Sequence, residues 1–281
     1  MRTKDPSNRV ISLTRRREEK KGLSTKTNHR TQKSKARVIA ITSGKGGVGK
    51  TSIVGNIGYA FTKLGKKVLI LDADLGLGNL DVLLGLAPKY NLSHVILGER
   101  TIDEILVEGP GKMNILPASS GIQELTNLNK DQKIEILTQL DLLIDSVDVL
   151  FIDTAAGISS NVMDFNATAQ EVVVVVSPEP TSITDAYALM KVLSTKYAEK
   201  TCRLIVNQVA SEQEGREIFR QLNLVARKFL AIRMEYFGCI AQDENLIRCV
   251  KQQRILSQAH PDSAATHGFR NLARRTKAMH A

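Results

Sequence analysis

The feature of the sequence that most restricts the fold is a glycine-rich stretch at residues 44–51, GKGGVGKT. It matches the pattern G-x-x-x-x-G-K-[ST], follows the apolar run VIAIT, and precedes residues with helical spacing. Glycines in such a loop let backbone N–H groups converge on phosphate oxygens, and the N-terminus of the following helix adds positive potential. We therefore predict a phosphate-binding loop formed by Gly44, Lys45, Gly46, Gly47, Val48, Gly49, Lys50, Thr51 and Ser52.

Two side chains of this loop have a predicted role of their own. Lys50 is expected to reach the β- and γ-phosphates of a nucleotide, and the Thr51 hydroxyl is expected to bind Mg²⁺. A second lysine, Lys45, lies in the same loop. One lysine is enough to hold a phosphate chain, so the pattern alone leaves the role of Lys45 open.

From Val38 onward the chain alternates short apolar runs with amphipathic segments. The spacing of residues 182–197 and 214–230 is helical, and runs rich in β-branched residues are typical of parallel strands covered on both faces. We therefore predict an α/β fold over 38–263, a P-loop NTPase with a mostly parallel, doubly wound sheet flanked by helices. The predicted strands lie at 38–42, 68–72, 113–119, 147–153, 171–177, 202–207 and 236–241.

Acidic residues stand at the carboxyl ends of two predicted strands. Asp72 ends one strand, with Asp74 two residues later, and Asp153 ends another. Ligands of open α/β sheets bind at this edge, and a carboxylate there can hold Mg²⁺ through the waters that the ion retains. These positions are where a phosphoryl-transfer enzyme needs acidic groups.

The stretch KGGVGKT resembles the deviant Walker A motif of the MinD/ParA superfamily of ATPases. The resemblance implies ATP and Mg²⁺ as cofactors and three catalytic residues, Lys45, Lys50 and Asp74. In that family the lysine at the position of Lys45 reaches across a nucleotide-sandwich dimer to the partner's phosphates, so hydrolysis depends on dimerisation. The alternative is that Lys45 acts within its own subunit or points into solvent.

Two acidic segments extend the resemblance. LDADLGLGNLD resembles switch I, which implies that Asp74 orients or deprotonates the attacking water and that Asp72 supports Mg²⁺ through water. FIDTAAG resembles the Walker B and switch II segment, which implies that Asp153 lies near the metal and Gly157 near the γ-phosphate. The implied metal site therefore comprises Thr51, Asp72 and Asp153.

Three further positions resemble the nucleotide contacts of the family. Asn207 matches the asparagine that reads adenine, which would favour ATP over GTP. Asp243 lies in AQDENLIR, which resembles the PEDxxxxR loop of the base pocket, although Ala241 stands where the family has proline. Glu179 matches a glutamate that contacts the ribose of the partner's nucleotide, and a plain loop carboxylate is the alternative.

The segments LFIDTAAGISSNVMDF and EPTSITDAYALMK are most similar to the FlhG/FleN branch of the family, which regulates flagellar number and placement. This implies an ATP-dependent homodimer that acts with an FlhF-type GTPase and with a flagellar master transcription activator or a C-ring component. A MinD-like septum-site ATPase or a ParA-like chromosome-partitioning ATPase is the second hypothesis. An iron–sulfur carrier, a third, needs paired cysteines, but no CxxC spacing joins Cys202, Cys239 and Cys249.

The net charge of +10 is concentrated at the N-terminus, where residues 1–37 hold 13 Lys and Arg against 3 Asp and Glu. A basic segment with few apolar residues cannot bury enough surface to fold alone, so we predict a disordered arm. Its partner would be an anionic membrane surface or an acidic protein face. Direct DNA binding and a merely solubilising role are the alternatives.

The C-terminal segment 264–281 has the pattern of a basic amphipathic helix. Phe269, Leu272, Ala273 and Met279 share one side, which suits an anionic bilayer, and a helix docked on its own domain is the alternative. With no secretory signal and no apolar run of about 18 residues, we expect a cytoplasmic protein. The resemblance implies reversible association with the inner face of the membrane, with the cell pole as a candidate position.

Overall fold

The computed structural model describes residues 36–118 and 128–278 of the 281-residue chain. Its centre is an eight-stranded sheet in the order β3-β4-β2-β5-β1-β6-β7-β8, in which only the β3–β4 pair is antiparallel among the described residues. The predicted fold class is confirmed. The strands are β1 Arg37–Ser43, β2 Val68–Ala73, β3 Val107–Glu108, β4 Asn114–Leu116, β5 Val149–Ala156, β6 Glu171–Val176, β7 Thr201–Val209 and β8 Arg233–Ala241.

Helices cover both faces of the sheet. Side chains that point to opposite faces of the strands belong to different apolar clusters, as Ile39 and Ala40 of β1 do. Because both faces are buried, the central strands are apolar throughout, which is why their runs could be recognised in the sequence. The helices are α1 Lys50–Lys63, α2 Leu80–Leu83, α3 Leu92–Ile96, α4 Lys130–Ile144, α5 Ser160–Thr168, α6 Pro180–Lys196, α7 Glu212–Phe229, α8 Glu244–Lys251, α9 Leu256–Ala259 and α10 Ala264–Ala278.

The strand order places the glycine-rich loop at the middle of the sheet. β1 lies between β5 and β6, and the loop joins its carboxyl end to α1. The first loop glycine packs tightly, because a Cβ on Gly44 would lie 2.2 Å from the backbone of Asp185 in α6. Neighbouring parallel strands β2 and β5 end at the same edge, so their terminal acidic residues lie beside the loop.

The C-terminal helix α10 packs on its own domain, which corrects the expectation that its apolar side faces a bilayer. Phe269, Leu272 and Ala273 are buried in the cluster that covers α1. The fit against β8 is close, since a Cβ on Gly268 would lie 2.9 Å from the Ile240 side chain. Arg275 donates to the carbonyl oxygen of Phe237 over 2.8 Å. An amphipathic pattern fits a bilayer and a protein core equally well, and here the core takes the apolar face. Met279 lies outside the described residues.

The domain begins before the predicted boundary at residue 38. Ala36 is buried, and Arg37 opens β1 with its guanidinium paired to Glu171 and donating over 2.6 Å to the carbonyl oxygen of Thr276. The sequence could not show this, because both partners are more than 100 residues away. The rest of the predicted arm lies outside the described residues. In the described part of the chain, no helix has the length and apolarity needed to cross a bilayer.

Candidate functional site

The glycine-rich loop has the backbone conformation that an anion-binding loop requires. Gly47 and Gly49 adopt left-handed φ values of 77° and 89°, which side chains other than glycine rarely allow. The first helical hydrogen bond of α1 runs over 3.0 Å from the Ile53 N–H to the Gly49 carbonyl oxygen. The N–H groups of the first turn therefore have no helical partner and are available to an anion.

Lys50 lies inside the loop rather than in solvent. Its Nζ donates to the Ser43 hydroxyl over 2.9 Å. Burial lowers the pKa of Lys50, while the negative charges of Asp153 and Asp74 act in the opposite direction. The ammonium group is therefore held beside two carboxylates, where a phosphate chain would bring further negative charge.

Asp72 and Asp153 are directly paired across β2 and β5 in the parallel ladder. The Asp72 carboxylate accepts hydrogen bonds from the N–H groups of Asp74 and Leu80, each over 3.1 Å. Burial raises the pKa of both carboxyl groups, and the charge of Asp153 raises the pKa of Asp72 further. A hydrogen bond from the Thr51 hydroxyl and the charge of Lys50 partly oppose this rise at Asp153.

This donor set fits a magnesium ion. Asp153 Oδ1 is buried and has no hydrogen-bond partner among the described residues. A hard divalent cation prefers carboxylate and hydroxyl oxygens, and it would relieve the repulsion between two buried acids. Thr51, Asp153 and Asp72 are therefore brought together as a candidate metal site. Within it, Asp153 Oδ1 is the oxygen that accepts no hydrogen bond from the described residues.

Asp74 lies on the loop that follows β2, next to the same group of charges. It contributes to the electrostatic surroundings of Lys50, Asp72 and Asp153. Its Oδ1 accepts from the Leu77 N–H over 3.3 Å, which fixes the turn that carries it. Asp74 is thus a carboxylate at the rim of the candidate metal site.

Lys45 points away from the loop interior, towards the start of α6. Its Nζ forms an ion pair with Glu179 and a hydrogen bond of 2.9 Å with the Thr181 hydroxyl. The Lys45 and Glu179 side chains are both partly exposed. Two residues that the sequence assigns to the partner's nucleotide therefore contact each other within one subunit.

Gly157 contacts the loop through its backbone. Its N–H donates to the Ser43 carbonyl oxygen over 2.9 Å, and its φ of 95° again requires glycine. The switch II segment is therefore tied to the end of β1. In this conformation the Gly157 N–H is engaged by the protein rather than aimed at a phosphate.

Asn207 and Asp243 make contacts that the sequence did not predict. Asn207 Nδ2 donates to the Val48 carbonyl oxygen over 2.8 Å. The Asp243 carboxylate caps α8 through the Asn245 N–H and α10 through the Ala265 N–H, over 2.9 and 3.2 Å. Asn207 is thus part of the loop structure, whereas Asp243 joins two helices.

Sequence reasoning missed two residues of this site, Ser43 and Thr181. Ser43 contacts Lys50, and its Oγ also donates to the Lys45 carbonyl oxygen over 2.7 Å. Its position directly before the first loop glycine was a usable signal. Thr181 gave no such signal, because its contact with Lys45 joins residues 136 positions apart.

Comparison with known proteins agrees with this geometry. The AAA domain family matches residues 36–206. The chain is 44% identical to the antiactivator FleN of Pseudomonas aeruginosa, covering 85% of each chain. It is 35% identical to the flagellum site-determining protein YlxH of Helicobacter pylori, covering 86% of this chain and 82% of YlxH.

The septum site-determining protein MinD of Synechocystis is 34% identical, covering 85% of this chain and 88% of the relative. Among solved structures, the MinD cell division protein of Aquifex aeolicus superposes with a TM-score of 0.72 at 28% identity, covering 86% of this chain and 97% of that one. The phosphate loop, the paired strand-end acids and these relatives together show that the chain belongs to the MinD/ParA-type ATPase family, together with FleN (FlhG).

Proposed function

We propose that the protein is an ATP-driven, dimerising switch that regulates the number and placement of flagella. The observation that carries the chemical part is the cluster of Lys50, Thr51, Asp72, Asp74 and Asp153 at one sheet edge. The relative YlxH supports the cellular part, because it is named a flagellum site-determining protein, and FleN, named an antiactivator, supports a regulatory role. The switch hydrolyses ATP to ADP and phosphate.

ATP and Mg²⁺ are the cofactors that the residues fit. The N–H groups of the loop and Lys50 would hold the phosphates, and Thr51 and Asp153 would hold Mg²⁺, with Asp72 acting through water. The ion would neutralise charge on the transferred phosphoryl group. Asp74, at the rim, would orient the attacking water and accept its proton.

For the base, Asn207 has one free polar atom. Its Nδ2 is engaged by Val48, while its Oδ1 is buried without a hydrogen-bond partner in the described part of the chain. An acceptor-only edge suits the amino group of adenine and opposes the carbonyl oxygen of guanine. This supports a preference for ATP over GTP.

Dimerisation is supported by the surface around the site. Leu77, three residues after Asp74, is 70% exposed, and Ile158, directly after Gly157, is 53% exposed. Large apolar side chains exposed at the mouth of a charged site favour contact with another protein surface. A second copy of this chain would cover them, and Lys45 would exchange Glu179 for the partner's phosphates.

We also propose partner proteins for the switch. FleN is named an antiactivator, which supports an activator as one partner, and we propose that it is the flagellar master transcription activator. A C-ring component is the alternative to this activator, and an FlhF-type GTPase is the second partner that we propose. The basic arm would bring the loaded dimer to the anionic inner face of the membrane, and hydrolysis would release it.

The alternative is septum placement, favoured by the 34% identity to MinD. Electron microscopy of cells lacking the protein separates the two. Altered flagellar number with normally placed septa supports the flagellar proposal. Normal flagella with misplaced septa would contradict it and favour the MinD-like role, and lost chromosomes would favour a ParA-like role.

A further inference from the structure

Asn207 lies at an irregular point of the sheet that turns its side chain towards the glycine-rich loop. The register of β7 against β8 shifts between Val206 and Val209, and Gln208 adopts a left-handed φ of 61°. Asn207 itself is 1% exposed. The strand therefore departs from regular geometry where it presents this buried amide.

The contact between Asn207 and the loop is unusually close. Nδ2 donates to the Val48 carbonyl oxygen over 2.8 Å. It also occupies the space that a side chain on the following residue, Gly49, would need. A Cβ on Gly49 would be 2.4 Å from Nδ2. Glycine at position 49 thus permits both the positive φ and the approach of the amide.

The bond fixes the orientation of the whole Val48–Gly49 peptide, and not only that of the Val48 carbonyl group. In a planar trans peptide the C=O of one residue and the N–H of the next point in opposite directions. Anchoring the Val48 carbonyl on Asn207 therefore directs the Gly49 N–H away from β7. We propose that Asn207 is a positioning residue that sets this N–H for phosphate binding, a role that is separate from reading the base and that rests on the proposed function.

The loop needs such an anchor because its own residues restrain this peptide weakly. Gly47 and Gly49 flank Val48, and glycine passes between positive and negative φ with little steric cost. The side-chain bonds from Ser43 Oγ to the Lys45 carbonyl oxygen and from Asn56 Nδ2 to the Ser52 carbonyl oxygen hold the two ends of the loop, not this peptide. Asn207 is the described side chain that bonds the Val48–Gly49 peptide.

A ligand without a base separates the two roles of Asn207. We would measure binding of magnesium tripolyphosphate and of MgATP by calorimetry, to the full-length protein and to Asn207→Ala. If Asn207 orients the loop, the variant loses about tenfold in affinity for tripolyphosphate, as expected for one lost hydrogen bond of the loop. If it acts on the base alone, tripolyphosphate binds both proteins equally and only ATP binding falls, which overturns the inference.

Two further variants control for stability. Asn207→Leu keeps the volume of the side chain without its polar atoms, and it replaces the alanine variant if that variant does not fold. It must show the same loss of affinity for tripolyphosphate. Asn166→Ala removes another buried amide, which bonds the Thr42 hydroxyl over 3.2 Å, and is expected to bind tripolyphosphate like the wild type. An equal loss in Asn166→Ala would overturn the inference. A wild-type protein that binds neither ligand would instead overturn the proposed function itself.

Discussion

At the scale of single residues, two acids are held side by side at the sheet edge that carries the glycine-rich loop. Asp72 and Asp153 are buried neighbours in adjacent strands, and burial raises the pKa of each. Two carboxylates so placed destabilise each other in the ligand-free protein. The proposed magnesium ion would relieve this repulsion, which would explain why two mutually destabilising acids are placed together.

This arrangement predicts that Asp72→Asn makes the ligand-free protein more stable, relative to wild type, at high pH than at low pH. The pKa of Asp72 is raised on folding. The protonated Asp72 carboxyl group therefore contributes fully to the free energy of unfolding below about pH 4, and this contribution is lost as the pH rises. Asparagine has one acceptor oxygen where Asp72 offers two to backbone N–H groups, so the variant loses one hydrogen bond at either pH. Its free energy of unfolding, relative to wild type, should therefore be about 1 to 3 kcal/mol higher at pH 8 than at pH 4. Urea unfolding at both pH values checks this. The exposed Asp262→Asn serves as control, and an equal difference between the two pH values there would refute the explanation.

Lys45 and Lys50 should differ in what their loss abolishes. Lys50 lies inside the loop, so Lys50→Ala should lose nucleotide binding. Lys45 contacts Glu179 outside the loop, so Lys45→Ala should bind ATP normally yet hydrolyse it about 10³-fold more slowly, as for a cation supplied in trans. Binding titrations and phosphate release measure the two effects. Wild-type turnover by Lys45→Ala would show that this lysine takes no part in hydrolysis.

At the scale of elements, α10 is a part of the core. Phe269 on this helix is fully buried, whereas Phe229 at the end of α7 is 63% exposed. Phe269→Ala should therefore lower the free energy of unfolding by about 3 to 5 kcal/mol. Phe229→Ala, the matched control, should change it by about 0.5 kcal/mol or less. Equal effects of the two substitutions in denaturant unfolding would show that α10 is not docked in solution.

The elements also show which parts of the fold the sequence could reveal. The central strands were predicted within a few residues because burial on both faces requires a continuous apolar run, as in Glu171–Val176. The two-residue strand β3 was missed, since it is too short to show any period. The docking of α10 could not be decided, because the surface that receives Phe269 is built by residues distant in sequence.

At the scale of the whole molecule, the positive charge and the catalytic domain are separate features. The excess of 10 positive charges is carried by residues 1–37, whereas the rest of the chain is neutral. Removing residues 1–35 should therefore leave ATP hydrolysis unchanged and abolish salt-sensitive binding to anionic vesicles. Vesicle flotation at low and high salt tests this. Undiminished flotation of the truncated protein would assign membrane binding to the domain instead.

The functional site was predictable to the extent that it is local in sequence. Lys50, Thr51 and the strand-end acids follow from a short motif and from the common edge of parallel strands. The contacts of Asn207 with Val48 and of Lys45 with Thr181 could not be predicted. Each joins residues more than 100 positions apart, through side-chain directions that only the folded sheet defines.

We propose that ATP joins two copies of the chain and that hydrolysis separates them. The most direct test of this proposal is the mass of Asp74→Ala in solution, by light scattering after size exclusion, with MgATP and with MgADP. If Asp74 activates the attacking water, the variant cannot hydrolyse ATP, and we expect a stable dimer in MgATP and a monomer in MgADP. A monomer at saturating MgATP would contradict the dimer and the in-trans role of Lys45.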